Sequence, residues 1–141
     1  MMKVRSKFTG GAEIARRLLE LPPEVSRRVL QGASRKAGNV IRDAARARAP
    51  VSEYPEHRQG HLRDNIIVSV LTRHAMKVVM AIHTGRAFWG NFLEFGTARM
   101  PPQPFMRPAL DETADKALAV LGRELGKGVE REAAKLAKGA K

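Results

Sequence analysis

The segment NIIVSVLTRHAMKVVMAIHT, residues 65–84, decides the fold class. It contains two runs rich in β-branched residues, 65–72 and 76–84, with the turn Arg73-His74-Ala75 between them. In the second run every other residue from Met76 to Ile82 is large and apolar, which is the pattern of a half-buried strand. The segment therefore predicts an antiparallel β-hairpin.

The residues before the hairpin have the periodicity of helices. Apolar residues at helical spacing in 12–21 predict a short helix that ends at Pro22 and Pro23. Apolar residues then recur every three or four positions in 25–44, which predicts an amphipathic helix ending near Pro50. Residues 50–64 contain two prolines, a glycine and many polar groups, so they predict a long loop.

The residues after the hairpin divide into three parts. Residues 85–96 hold four of the seven aromatic residues and are expected to fill the core beside the hairpin. Residues 98–104, ARMPPQP, predict an extended arm, because each residue before a proline avoids the helical conformation. From Phe105 onwards a helical stripe predicts a long final helix, weakened by Gly122, Gly126 and Gly128.

Together these elements predict an α+β fold. It has N-terminal helices, a small antiparallel β-sheet and a long C-terminal helix packed on the sheet. A chain of 141 residues fits one domain, 1–141, whose ends at 1–10 and 134–141 are expected to be flexible.

The composition narrows the class of protein. The net charge is +12, and the first 50 residues hold 12 basic and 4 acidic residues, so the positive field belongs mainly to the N-terminal helices. The chain has no cysteine, which excludes disulfides and thiolate metal sites and fits use in a reducing cytoplasm. The first residues contain no apolar stretch of the length expected in a signal peptide, and no run approaches the roughly 20 apolar residues of a membrane span.

Three motifs occur in a fixed order. The first motif consists of APV at 49–51 followed by GHLRDNI at 60–66. The second is FLEFGT at 92–97, and the third is PPQPFMRPAL at 101–110. In this order and spacing they resemble the tail-component family of long-tailed bacteriophages, which supplies tail-completion, or head-tail joining, proteins. The resemblance covers roughly residues 12–125. The gap from Val51 to Gly60 is longer than is typical of the family.

The resemblance implies a structural protein of the virion and no enzymatic activity. It implies a homo-oligomeric ring, with a hexamer as the expected form, at the head-tail junction. The expected partners are the head connector or head-closure protein, the tail tube or tail terminator protein, and non-specifically bound double-stranded DNA that passes through. The protein would be present in the host cytoplasm during assembly. The residues that the motifs assign to assembly or core are Pro50, Gly60, Leu62, Arg63, Phe92, Glu94, Phe95, Gly96, Thr97, Pro104, Phe105 and Pro108.

Glu94 has two interpretations. An acid between two phenylalanines could be a tuned catalytic carboxylate, or it could bind backbone amides or an arginine and fix a turn. Gly96 and Thr97 supply the turn residues that such an anchor needs, so the structural interpretation is favoured.

The other candidate chemical groups favour structural interpretations as well. His57 and His61 could bind a metal, but Pro55 and Gly60 argue against the helix that would bring them together, so no metal or cofactor is expected. Ser52 and Ser69 lack the glycine-rich turn of a hydrolase nucleophile.

The basic helix face could be solvated or could line a channel for duplex DNA. The implied genome passage favours contact with DNA phosphates. The candidate DNA-facing residues are Arg27, Arg28, Arg35, Lys36, Arg42 and Arg46. The alternative function is that of a small, basic, non-specific DNA-binding protein, and a third is a small hydrolase that uses Glu94 or the two histidines.

Overall fold

The computed structural model of the protein describes residues 10–51, 60–74 and 77–139. Within them the chain forms five helices and two strands in an α+β arrangement, so the predicted fold class is confirmed. In chain order the elements are α1 (Gly11–Glu20), α2 (Pro23–Arg48), α3 (Leu62–Asn65), β1 (Ile67–His74), β2 (Lys77–His83), α4 (Gly90–Phe95) and α5 (Met106–Gly139).

The two strands form the predicted hairpin. They pair antiparallel with Val68 opposite Ile82 and Val70 opposite Met80, and a bulge interrupts the register between Val70 and Thr72. The predicted loop differs in its last part, because residues 62–65 form the short helix α3. The middle of that loop, 52–59, lies outside the described residues.

The long helices α2 and α5 pack against each other along most of their length, and α2 also contacts both strands. The sequence suggests that α5 packs on the sheet, whereas most of its contacts are to α2. One reason is Gly128, where an added Cβ would lie 2.6 Å from Cγ1 of Val29, so the two helix backbones approach closely. Helix α5 continues without interruption to Gly139.

Two apolar clusters lie at opposite ends of the α2 and α5 pair. The helical-end cluster consists of Leu21, Val29, Ala33, Leu125 and Val129. The motif-end cluster consists of Ala45, Ala49, Leu62, Ile66, Ala87, Phe105 and Ala109. Between the clusters an apolar groove of about 400 Å³ separates β2 from α5, with α2 as its floor. None of the helices described here is long and apolar enough to cross a membrane.

The aromatic segment differs from its prediction. Phe88, Phe92 and Phe95 are 65%, 50% and 69% exposed, so they do not fill the core. Helix α4 has only six residues, and its buried positions, four apart, are Gly90 and Glu94. Because these two residues occupy the inner face, the phenylalanines of α4 face outwards.

Candidate assembly site at the Glu94 anchor

Glu94 ties α4 to the start of α5. Its side chain is buried, and Oε2 accepts hydrogen bonds from the backbone N–H groups of Phe105 and Met106 at 2.8 and 2.9 Å. Oε1 accepts bonds from the backbone N–H of Arg107 at 3.1 Å and from its Nε at 3.0 Å. Nη2 of Arg107 donates to the Glu94 carbonyl oxygen at 2.9 Å. The first N–H groups of a helix have no partner within it, and here one carboxylate satisfies three of them.

The electrostatics of this anchor favour an ionised carboxylate. Burial alone would raise the pKa of Glu94, but bonds from the amides of Met106, Phe105 and Arg107 and from the Arg107 side chain outweigh it, so its pKa lies below its ordinary value. The positive end of the α5 macrodipole acts in the same direction. The anchor interpretation of Glu94 agrees with this geometry, since the carboxylate binds both backbone amides and an arginine.

The loop between α4 and α5 is closed by backbone contacts. Thr97 and Met100 pair with each other, and the N–H of Gln103 donates to the Leu93 carbonyl at 2.7 Å. Gly96 has φ of 75°, and a Cβ there would lie 2.8 Å from the backbone nitrogen of Pro102. Glycine is therefore required at this turn both by its conformation and by the close approach of the chain.

All three sequence motifs meet at the motif-end cluster. GHLRDNI contributes Leu62 and Ile66, FLEFGT contributes Leu93, and PPQPFMRPAL contributes Phe105, which is fully buried. Residues that are far apart in the sequence thus build one packed unit.

Arg46 has a contact inside this unit that sequence reasoning did not find. Its Nε and Nη2 donate to the Ile66 carbonyl oxygen at 3.1 and 2.8 Å, and this carbonyl ends α3 just before β1. The guanidinium therefore fixes the entry into the hairpin. The sequence pattern does not distinguish Arg46 from the other arginines of α2, so its hydrogen bonds to the Ile66 carbonyl could not be predicted.

The anchor presents an exposed aromatic patch, which we define as Phe88, Phe92 and Phe95. The rings of Phe88 and Phe92 meet edge to face at a centroid distance of 6.4 Å. The guanidinium carbon of Arg107 lies 5.3 Å from the centroid of the Phe95 ring, so the residue that binds Glu94 also supports the patch. Phe88 and Arg107 belong to this site although the motifs do not assign them.

The remaining motif residues are half-buried or exposed. Pro50, Gly96 and Pro108 are half-buried. Exposed positions are occupied by Gly60, Arg63, Thr97 and Pro104.

Ser69 and His83 form a pair on the hairpin that resembles part of a hydrolase site. The Ser69 Oγ and the His83 Nε2 are 2.8 Å apart, and the His83 Nδ1 accepts a hydrogen bond from the backbone N–H of Gly85 at 3.0 Å. An accepting Nδ1 in a neutral imidazole leaves the proton on Nε2, which then donates to the hydroxyl. A serine nucleophile needs Nε2 as the acceptor, so this pair is arranged for structure.

The basic face of α2 is divided between paired and unpaired cations. Lys36 binds Glu124 of α5 at 2.8 Å, and Arg42 binds Asp43 at 2.9 Å. The pKa of Glu124 is lowered, chiefly by its hydrogen bond from Lys36. Arg28 and Arg35 are exposed and make no ion pair within the part of the chain that the structure describes, and Arg27 is half-buried.

In the ranges 10–51, 60–74 and 77–139, no three His, Asp or Glu side chains are placed to hold a metal ion. His57 and Ser52 lie outside these ranges.

Comparison with known proteins relates the chain to a protein family. A family model described as "Bacteriophage HK97-gp10, putative tail-component" matches residues 12–96, which is more than half of the chain. The matched range includes GHLRDNI and most of FLEFGT but ends before PPQPFMRPAL. No match was found among the curated proteins or among the solved structures.

Proposed function

The chain belongs to the bacteriophage HK97-gp10 tail-component family, and from this membership we propose that it completes the junction between head and tail in a long-tailed phage. Membership makes it a structural protein related to the phage tail. The finer assignment is to a neck ring between the head connector or head-closure protein and the tail tube or tail terminator protein. The genome would pass through this ring.

The observation that carries this proposal is the exposed aromatic patch on a buried anchor. A phenylalanine has about 150–250 Å² of surface to bury. At the exposed fractions of Phe88, Phe92 and Phe95, the patch offers roughly 300–450 Å² of apolar surface. A patch of that size is in the range of the largest apolar patch on a typical monomer, which is often a functional surface. The Glu94 bonds hold it rigidly, and a rigid surface loses little conformational entropy on binding.

The patch is too small to be a whole interface. A stable interface buries about 800 Å² on each partner, so further surface must take part. The exposed residues 101–104 continue from the same anchored loop and supply a second strip. A contact between two different surfaces of neighbouring copies closes into a ring when the rotation allows it, and a hexamer is the proposed form.

The site chemistry supports a function without catalysis. The Glu94 carboxylate, the candidate acid or base, is occupied by four N–H donors. Its lowered pKa is the opposite of what a general acid at neutral pH needs. Ser69 and His83 have the wrong donor and acceptor order for nucleophilic attack.

Contact with DNA is proposed for the free cations of α2. Arg28 and Arg35 are seven residues apart, so they lie on one face of the helix about 10 Å apart along its axis. Such cations bind phosphates without reading bases, which suits a genome that must move. The same two arginines support the alternative function of a small, basic, non-specific DNA-binding protein.

Complementation of a phage lacking this gene tests the proposal. The variant Phe88→Ser/Phe92→Ser/Phe95→Ser should fold with a nearly unchanged melting temperature, because the three side chains are largely exposed. Electron micrographs should then show separate heads and tails. The matched control is Leu19→Ser, an equally exposed apolar residue on α1, which should give normal virions. Normal virions from the triple variant would contradict the junction proposal and favour the DNA-binding alternative.

A further inference from the structure

The exposed aromatic patch borders a pocket. Phe88 and Phe95 line this pocket, which has a volume of about 450 Å³ and lies between the end of β2 and the start of α5. Both rings are largely exposed, whereas Glu94 and Phe105 in the same lining are buried. The two exposed phenylalanines therefore form the mouth of the pocket, and the two buried residues form part of its floor.

The lining suits one large aromatic side chain. The volume lies in the lower part of the range of about 300–1,000 Å³ that is typical of ligand pockets. Ile82 and Met106 add apolar surface, and His83 and Asn91 place polar groups among it. An aromatic ring in the pocket can meet the phenylalanines edge to face, as rings within the patch already do. Aromatic side chains that fill such pockets carry much of the binding energy of protein interfaces.

Arg107 places an available donor at this pocket. Its side chain is 43% exposed and belongs to the lining. Nε and Nη2 donate to Glu94, but Nη1 has no hydrogen-bond partner within residues 10–51, 60–74 and 77–139. Nη1 can therefore donate to a carboxylate of a bound partner, and a hydrogen bond between two charged groups is a strong one.

Two further arginines flank the mouth of the pocket. Arg86 lies two residues before Phe88, whose N–H donates to the Arg86 carbonyl at 3.0 Å. Arg99 lies four residues after Phe95, in the turn that the bridge between residues 97 and 100 closes. Both arginines are exposed, and neither makes an ion pair with another described residue. The mouth thus presents cations that no carboxylate of the described chain neutralises.

The charge around the pocket favours an acidic partner. Residues 60–107 contain six lysines and arginines but two acids, Asp64 and Glu94. Glu94 is buried and bound by the anchor, so Asp64 is the acid that remains exposed. A partner surface with carboxylates around an apolar centre is complementary to this arrangement. Duplex DNA would neutralise the arginines but would leave the apolar pocket unfilled.

We propose that this pocket binds an acidic segment of a partner protein. One large aromatic side chain of the segment enters between Phe88 and Phe95. Carboxylates on either side of it bind Arg86, Arg99 and Arg107. This inference rests on the proposed junction function and specifies the chemistry of the partner that the exposed aromatic patch receives.

A labelled peptide tests the charge requirement with the purified full chain. The probe is a fluorescein-labelled peptide with one tryptophan between two pairs of aspartates, and fluorescence anisotropy follows its binding. It should bind, and Arg86→Gln/Arg99→Gln should raise its Kd about three- to tenfold. The matched control Arg28→Gln/Arg35→Gln removes the same charge from α2 and should leave the Kd unchanged. A similar rise in both double variants would show a response to net charge alone and would overturn the proposal.

The aromatic requirement is tested with the same assay. Alanine in place of the peptide tryptophan should weaken binding about tenfold or more, and so should Phe88→Ser/Phe95→Ser in the protein. Unchanged affinity after either change would contradict insertion into the pocket. A single-stranded oligothymidylate is the competing probe, because bases stack on exposed aromatic rings beside arginines. Binding of the oligonucleotide without binding of the peptide would assign this surface to nucleic acid and overturn the proposal.

The peptide assay needs neither a ring nor virions, so its failure is distinguishable from failure of the junction function. Separate heads and tails from the triple phenylalanine variant, with no peptide binding to the unaltered chain, would refute the acidic partner alone. Normal virions from that variant, with peptide binding as expected, would refute the junction function and leave the pocket chemistry standing.

Discussion

The two ends of the α2 and α5 pair are built in different ways. At the helical end the packed side chains are aliphatic, from Leu21 and Val29 to Leu125 and Val129, and they come from helices that run alongside one another. At the motif end the core combines the fully buried side chains of Ile66 and Phe105 with a buried carboxylate. That carboxylate bridges segments 11 to 13 residues apart.

This difference predicts that single substitutions should lower stability more at the motif end than at the helical end. At the helical end several aliphatic side chains make similar contacts between the helices, so truncating one of them leaves the other contacts in place. At the motif end Phe105 and Glu94 each hold several segments, and no neighbouring side chain can replace their contacts. The exposed patch depends on this end, so its geometry should be sensitive to the same residues.

The largest effect is expected from Phe105→Ala. This side chain is fully buried in the motif-end cluster, and its truncation should lower the free energy of unfolding by about 3 to 5 kcal/mol. That is a large part of the stability of a small domain. Thermal and denaturant unfolding of the purified variant measure it.

Phe95→Ala is the matched control for that prediction. Its ring is 69% exposed and contacts the Arg107 guanidinium, so the loss should stay below about 1 kcal/mol. Similar losses in both variants would remove the distinction between anchor and patch.

Glu94→Gln should lower the free energy of unfolding by about 1.5 to 3 kcal/mol at neutral pH, because bonds to a charged acceptor are lost. The pKa of Glu94 is lower in the folded chain, so its stabilisation is complete above the unfolded pKa and is lost as pH falls through the folded value. The difference between the unaltered chain and the variant should therefore shrink below about pH 4. Unfolding curves over a pH series test this, and a difference independent of pH would refute the charged anchor.

Periodicity was sufficient to predict α1, α2, α5 and the hairpin from the sequence, because alternation and helical spacing are local. The α+β class follows from these elements. The short helices α3 and α4 were not predicted, because four and six residues are too few to show a helical period. The anchoring role of Glu94 was also accessible, since Gly96 and Thr97 mark a turn beside it. Its donors were not, because Phe105, Met106 and Arg107 reach the carboxylate only after the proline-rich loop closes.

The exposure of the aromatic patch could not be predicted from composition. A cluster of phenylalanines is typical of a core, and only the placement of Gly90 and Glu94 on the inner face of a six-residue helix turns the rings outwards. The packing of α5 on α2 could not be predicted from the sequence either. It depends on the approach of Val29 to Gly128, and the sequence shows Gly128 simply as a weak helix former.

Gly128→Ala tests packing at the helical end. Its new methyl group would lie 2.6 Å from Val29, and overpacking of about 1 to 3 kcal/mol should exceed the gain in helix propensity of up to about 1 kcal/mol. A net loss of about 0.5 to 2 kcal/mol is expected from unfolding curves. Adding Val29→Ala should recover part of the loss relative to Val29→Ala alone, because the clash is removed.

Gly126→Ala is the control in the same helix. Apart from its chain neighbours and the backbone of its own helix turn, a Cβ at position 126 meets no heavy atom within 4 Å, so this variant should gain up to about 1 kcal/mol. Stabilisation by both alanines would show that the two helices do not approach closely at Gly128.

The smallest effect on stability, within about 0.5 kcal/mol, is expected from Arg28→Gln/Arg35→Gln, because both side chains are exposed. Their effect should appear in binding to duplex DNA. Each lost phosphate contact reduces the slope of log affinity against log salt by about 0.9, so the double variant should lose up to roughly 1.8. The control is Arg63→Gln/Arg99→Gln, which removes the same charge from exposed positions at the motif end. If the helical end faces DNA and the motif end faces protein partners, the control keeps its slope. An equal reduction of the salt slope in both variants would mean that DNA affinity depends on net charge alone. The proposal that the helical end faces DNA and the motif end faces protein partners would then be wrong.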